Sequence, residues 1–241
     1  MLVLLAGLST VAVLATLAGC PSRVRAPAGA LAPSAVPSAP APAGRRYRVS
    51  SEESLLTVLV YRAGALAQLG HNHVIASRAI TGTLDLGADA AHTYCQLAVP
   101  VASFTVDEPA LRAAAGADFP PDVPQSAREG TQRNMLGEAL LDAAHFADVA
   151  ASCEALEGEL PDATRSSGML SARMRLRVRT ASHALTVPLT YARQGTALQV
   201  TGSFRVQQSE LGLTPFSAML GALRVQDEIT VQLRLALRPA D

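Results

Sequence analysis

The stretch LGHNHVI, Leu69–Ile75, sets two imidazoles two residues apart behind a glycine. If Gly70–Ile75 opens a β-strand, His71 and His73 share a face, and their Cα atoms stand about 6.5–7 Å apart. Such a pair has three possible chemistries. The rings could share a metal, but a closed zinc site takes four ligands and a catalytic one three. His92, His145 and His183 have no motif spacing to the pair, and Asp85 and Asp227 cannot be placed beside it from sequence. The rings could instead hydrogen-bond the polar head of a ligand, or simply bond backbone carbonyls. A deeply buried neutral pair needs a full set of hydrogen-bond partners, in which an aliphatic-rich chain is poor. The expected place for both is therefore near an opening of the fold.

The three cysteines are the other reactive groups. Cys20 closes LAGC, Leu17–Cys20, at the end of an apolar leader in which Leu2–Ala18 carries no charge. This resembles a bacterial lipobox, in which small residues admit a signal peptidase and the thiol takes a diacylglycerol. No Lys or Arg precedes the apolar run, as one normally does, so a plain membrane anchor or an ordinary cleaved signal stays open. Residues 1–19 are expected as the signal peptide and 20–46 as a Pro/Ala-rich tether of extended, polyproline type. Cys95 and Cys153 both fall on predicted strands. In an oxidising compartment two such cysteines pair, and a cross-strand disulfide is expected, with two separate buried thiols as the alternative. Their spacing is not CxxC, so dithiol redox catalysis is not indicated.

These side chains must be carried by strands. From Tyr47 onward the dominant hydrophobic period is two. In Met174–Thr180, Met174, Leu176 and Val178 face one way and Arg173, Arg175, Arg177 and Arg179 the other. LQVTGSFRV places Leu198, Val200, Phe204 and Val206 together, and ITVQLRLALR does the same with Ile229, Val231, Leu233, Leu235 and Leu237. Alternation of this kind means one buried and one wet face, as antiparallel sheets have. Leu55–Arg62, Thr81–Leu86, Tyr94–Val106 and Val149–Glu157 also read as strands, with PDATRSS, ASHA and RQGT as turn-like breaks. Glu108–Phe146 differs: prolines lie in its middle, and Met135, Leu136, Ala139, Leu140 and Ala143 recur at helical spacing. The expected fold is all-β, an antiparallel lipocalin-like barrel of about eight strands over residues 47–238, with one short helical excursion. LGLTPFSAMLGAL, Leu211–Leu223, is expected to plug or lid one barrel end.

Several motifs in order resemble the YceI-like family. They are YRVSSEESLLTVLVYRAGALAQLGHNHVI with TGTLDL, VPVASFTVDEP, NMLGEALLDAAHFADVAASCEAL, and QSELGLTPFSAMLGALRVQDEITVQLRL. They cover about Tyr47 to Leu237. The resemblance implies a lipocalin-like barrel that binds long amphiphilic, often polyisoprenoid, molecules and is not generally a catalyst. The inward rows suit such a ligand, and Phe204, Val206, Leu233 and Leu235, with His71 and His73, are the expected contacts.

Other classes fit less well. Lys+Arg and Asp+Glu are both 20, so no net charge draws nucleic acid. Aromatics make up 4% and Trp is absent, which disfavours stacking clefts. No G-x-S-x-G elbow, phosphate-binding glycine loop or H-E-x-x-H occurs, and neither an enzyme nor a required cofactor is expected. The leading expectation is a lipid-anchored carrier on the periplasmic side of a bacterial membrane. The alternatives are a metal- or redox-linked protein using His71 and His73, and a structural lipoprotein with a filled barrel. Protein partners are not readable. Pro21, not aspartate, follows Cys20, which points to the outer membrane. Cys20→Ser is expected to abolish acyl labelling and to move the protein from the membrane fraction to the soluble one. An uncleaved variant that stays with membranes would identify the leader as a spanning anchor.

Overall fold

The computed structural model describes residues 44–240. The expected signal peptide, Cys20 and nearly all of the expected tether lie outside them. The strands are β1 (Arg45–Val49), β2 (Leu55–Ala63), β3 (His73–Ser77), β4 (Thr81–Leu86), β5 (Tyr94–Pro100), β6 (Thr105–Val106), β7 (Asp148–Gly158), β8 (Ser167–Val178), β9 (Ala181–Gln194), β10 (Ala197–Gln207), β11 (Ser217–Ala218) and β12 (Leu223–Pro239). The helices α1 (Pro109–Ala115) and α2 (Gln125–Leu136) lie between β6 and β7.

All pairings are antiparallel, and they close into a barrel of eight staves. The first three staves are each broken in two. β1 and β2 follow one another along the same edge of β12, with Val49 opposite Leu237 and Leu55 opposite Arg234. β3 and β4 pair with β2 and β1, and β6 and β5 pair with β3 and β4. The chain then runs through β7, β8, β9, β10 and β12, each paired with the stave before it, and β12 closes on β1 and β2. Closure removes the free edges that an open sheet would expose.

The three breaks lie side by side, and serines stitch them. Ser54 Oγ accepts from the Ala236 amide at 3.0 Å, and the Ser50 amide donates to Ala236 O at 2.8 Å. Ser51 Oγ donates to Ile80 O at 2.7 Å. Ser77 and Ser103 share a hydroxyl bond of 2.7 Å, and Ser103 Oγ donates onward to Pro100 O at 2.6 Å. Short hydroxyl side chains thus replace ladder bonds where the backbone turns out of register, which a buried break requires.

The alternating rows face as the period of two demands. Val200 stands opposite Leu235, Phe204 opposite Val231 and Val206 opposite Ile229, all toward the interior. The arginine row of β8 is the solvated outer wall, where Arg173 and Arg175 both pair with Glu154 on β7. Cys95 and Cys153 are joined by a disulfide between β5 and β7, with Cα atoms 5.1 Å apart.

Some sequence expectations need correction. The barrel starts at Arg45, inside the stretch assigned to the tether. ASHA is not a turn but the start of β9, because Arg179 takes the left-handed conformation (φ 54°) and the hairpin closes in Arg179–Thr180. Tyr94–Val106 is split by a 3₁₀ turn at Val101–Ser103. The helix of the excursion ends at Leu136, before most of the spaced apolar residues. After Gly137 a series of turns, with Leu141 N donating to Met135 O and Ala143 N to Leu136 O, keeps Leu140 and Leu141 on the barrel without a continuing helix.

The disulfide closes a loop of 58 residues. Removing it with Cys95→Ala and Cys153→Ala is expected to cost about 2–4 kcal/mol, read from the urea midpoint. Thiol counting on the denatured, unreduced parent is expected to find neither cysteine reactive.

Candidate functional site

The barrel encloses a cavity of about 480 Å³, a size typical of small-molecule sites. Its body is lined by aliphatic side chains from every stave, among them Val58, Leu97, Leu176, Val187, Val200 and Leu233. Phe204, Val206, Leu233 and Leu235, the row expected to touch a ligand, all line it, and so do His71 and His73. Cys95 and Cys153 form part of the same wall. Away from the helices Tyr191 fills the barrel, its hydroxyl donating to Glu159 O at 2.8 Å. A Cβ at Gly168 would stand 2.7 Å from that hydroxyl, so glycine is required for the ring to lie there.

The charged, imidazole and amide groups of the lining gather at one end, while the far end adds only the hydroxyls of Thr83, Thr93 and Tyr191. Arg62 ends β2, His71 and His73 begin the return stave, Thr131 and Asn134 come from α2, Gln208 follows β10, and Arg224 begins β12. This is the mouth, covered by the excursion and by the segment before β12. Leu211 and Leu213 of that segment are buried in the barrel end, a plug. Asp227 holds the plug, accepting from the Ser209 amide at 2.8 Å and the Ser209 hydroxyl at 2.5 Å. These bonds keep the Asp227 carboxyl below its ordinary pKa.

His71 and His73 are not equivalent. β3 begins at His73, so strand alternation does not govern His71, and the ring centroids lie 6.2 Å apart. His73 is buried. Its Nδ1 lies 2.6 Å from Asp107 Oδ2, and its Nε2 lies 3.1 Å from Thr131 Oγ1. Beside an ionised Asp107, Nδ1 is the donor, and Nε2 meets the threonine hydroxyl. The expectation that this chain could not supply a buried histidine is therefore overturned for His73, because the excursion brings the partners. Among the described residues His71 makes no such bonds. Burial, then the nearby His73, Arg112 and Arg62, lowers its pKa, so it meets the cavity as a neutral ring.

Behind His73 lies a network that sequence reasoning missed. Asp107 is 1% exposed and Arg112 is 1% exposed. Asp107 Oδ1 accepts from the Val74 amide at 2.9 Å and from Arg112 Nη1 at 2.5 Å. Arg112 Nη1 also donates to Asn72 O, and its Nε and Nη2 donate to Pro120 O. Asp107 sits at φ 56°, a left-handed turn that aspartate tolerates better than most side chains. The turn lets β6 end and α1 begin across the outer face of β3. Only the pair Asp107–Arg112, five apart at the start of a helix, hinted at this in the sequence.

The pair does not fit a metal. Both ring nitrogens of His73 are engaged, and among the described residues no three His, Cys, Asp or Glu side chains come together to hold an ion. His92 and His145 each bond a carboxylate three residues back, Asp89 and Asp142, and Asp85 pairs with Arg46 at the other end of the barrel.

No family model matches the chain, and no curated protein matches it in sequence. Among solved structures, BcnA of Burkholderia cenocepacia superposes with a TM-score of 0.54 at 14% identity, over 78% of this chain and 98% of that one. A polyisoprenoid binding domain from Saccharophagus degradans, implicated in plant cell wall breakdown, superposes with a TM-score of 0.54 at 10% identity, over 80% and 98%. The likeness is one of fold, the YceI-like barrel that the sequence resemblance implied.

Removing the carboxylate with Asp107→Ala leaves Arg112 buried without a counter-charge and is expected to cost about 3–5 kcal/mol. Burial alone would raise the Asp107 pKa, but bonds from His73, Val74 and Arg112 outweigh it and hold it low. Its contribution is thus present above the unfolded value and is lost as pH falls through the lower folded one. Urea midpoints measured from about pH 5 to pH 2 are expected to fall less steeply for Asp107→Asn than for the parent.

Proposed function

We propose that this protein carries or sequesters an amphiphilic, isoprenoid-like lipid, with the tail along the barrel and the polar head under α2. The observation that carries the reading is the asymmetry of the cavity, which is aliphatic through its body, with its guanidinium, imidazole and amide groups all at the mouth and only the Thr83, Thr93 and Tyr191 hydroxyls elsewhere. An amphiphile matches that division, because its tail loses water and its head keeps hydrogen-bond partners. The Saccharophagus degradans domain, named for polyisoprenoid binding, supports the tail chemistry by likeness of fold alone. Within this reading His71, Arg62 and Asn134 meet the head, while Phe204, Val206, Leu233 and Leu235 meet the tail. His73 acts through its bonds to Asp107 and Thr131, holding the mouth in shape.

The reading makes the protein a binding module rather than an enzyme, with no cofactor beyond the lipid itself. It places the barrel on the periplasmic side of a bacterial outer membrane, anchored through Cys20, on the strength of LAGC and of Pro21. A metal- or redox-linked role draws no support from the engaged His73. A filled, purely structural barrel sits poorly with a cavity of this volume.

Filling the tail path tests the reading. Organic extracts of the purified parent are expected to contain one class of long-chain amphiphile by mass spectrometry. Val206→Trp is expected to lose it while its far-ultraviolet dichroism keeps the parent's strand signal. Equal lipid in parent and variant, or none in the parent, would sink the proposal.

A further inference from the structure

We infer that the lip beside the mouth docks this protein on an anionic bilayer surface. The inference rests on the carrier reading and adds where the lipid is exchanged. Two loops make the lip. Leu66–Gly70 follows β2, Phe216–Ala222 precedes β12, and the Leu66 amide donates to Ala222 O at 2.8 Å. Four of the six exposed large apolar side chains among the described residues stand on it: Leu69 at 63%, Phe216 at 42%, Met219 at 64% and Leu220 at 109% exposure. A soluble surface seldom gathers such groups without a partner.

Their presentation is built in. Met219, Leu220 and Gly221 have φ of 51°, 55° and 89°, a left-handed run that bulky side chains avoid. Ala222 N donates to Met219 O at 3.1 Å and Val225 N to Phe216 O at 2.9 Å, so the turn is pinned on both sides with its apolar tips outward.

Two observations choose a bilayer as the occupant. First, the lip is continuous with the cavity: Gly70 and Phe216 belong to both and Leu223 continues the wall inward, so an apolar path runs from the tips into the barrel. A tail moving from a bilayer along this path need not cross water. Second, Arg62 and Arg224 flank the path, and among the described residues neither has a carboxylate within 4.0 Å. Asp227, the acid nearest Arg224 in the chain, is held by Ser209. Arg62 Nη1 donates to Gly70 O, which fixes the group at the lip, and the remaining guanidinium donors are left for anionic headgroups, in the arrangement of apolar tips with basic flanks that interfacial segments use.

The chain contains no tryptophan, so a single one reports its own surroundings. Leu220→Trp, in the full chain, is compared with Thr196→Trp in the β9–β10 turn at the opposite end of the barrel. Both meet vesicles of phosphatidylglycerol and phosphatidylcholine with brominated acyl chains. Any contact made by the N-terminal segment is common to both. Insertion about 5–10 Å into the headgroup boundary is expected to quench Leu220→Trp about twofold and leave Thr196→Trp unchanged. Adding Arg62→Gln and Arg224→Gln to Leu220→Trp is expected to weaken vesicle partitioning about tenfold. Equal, unquenched emission from both reporters on vesicle-bound protein would overturn the inference. So would a blue shift of Leu220→Trp that rises with protein concentration without vesicles, since a second copy would then cover the lip. Lipid extracted from an unquenched protein leaves the carrier reading standing and the docking refuted. Quenching without extractable lipid supports the docking and removes the carrier reading.

Discussion

Closure of one antiparallel sheet upon itself is the constraint from which the rest follows. Once β12 pairs with β1 and β2 on one side and β10 on the other, every stave has one face toward a common axis. Alternation then sorts side chains without further instruction: aliphatics inward, arginines and carboxylates outward. Aromatic residues are too few to fill the axis, and the branched and linear aliphatics that replace them leave space between opposite walls. The cavity is a consequence of closing this composition into eight staves.

The mouth obeys a different logic. It is built from chain that leaves the barrel, and that chain must be tied down. Asp107 does this by accepting from β3, from the His73 ring and from Arg112 of α1 at once. A buried ion pair is not in itself a source of stability, because desolvation offsets most of the attraction. Its value here is positional: with every donor satisfied, α1 and the loop after it have one place to sit, and α2 is carried over the cavity end.

The sequence showed the barrel plainly and the mouth poorly, for a physical reason. Strand periodicity is local, so Met174–Val178, Leu198–Val206 and Ile229–Leu237 each announced their inward faces from a handful of residues. The pairing of Cys95 with Cys153 was readable too, because both lie on alternating segments. The mouth depends on contacts between residues far apart in the chain: His73 with Asp107 and Thr131, Arg112 with Asn72, Asp227 with Ser209. No period encodes those. LGHNHVI drew attention to both histidines yet could not say that one is an engaged structural ring and the other a cavity wall. The spaced apolars after Met135 misled because successive turns can keep one side of a chain against a surface as a helix does.

The register that closes the barrel has a temporal consequence. Tyr47 faces Pro239 across the seam, so the contact that closes the barrel joins the two extremes of the domain and has the greatest sequence separation. Each hairpin from β7 to β10 can zip locally, whereas the seam must gather the whole intervening chain first, which loads the entropic cost onto the final step. Until then β1 and β12 are two bare edges of the same half-built sheet. A chain interrupted before Leu237 keeps the pairing of β12 with β2 but loses that with β1, and its apolar interior faces water along that half of the seam.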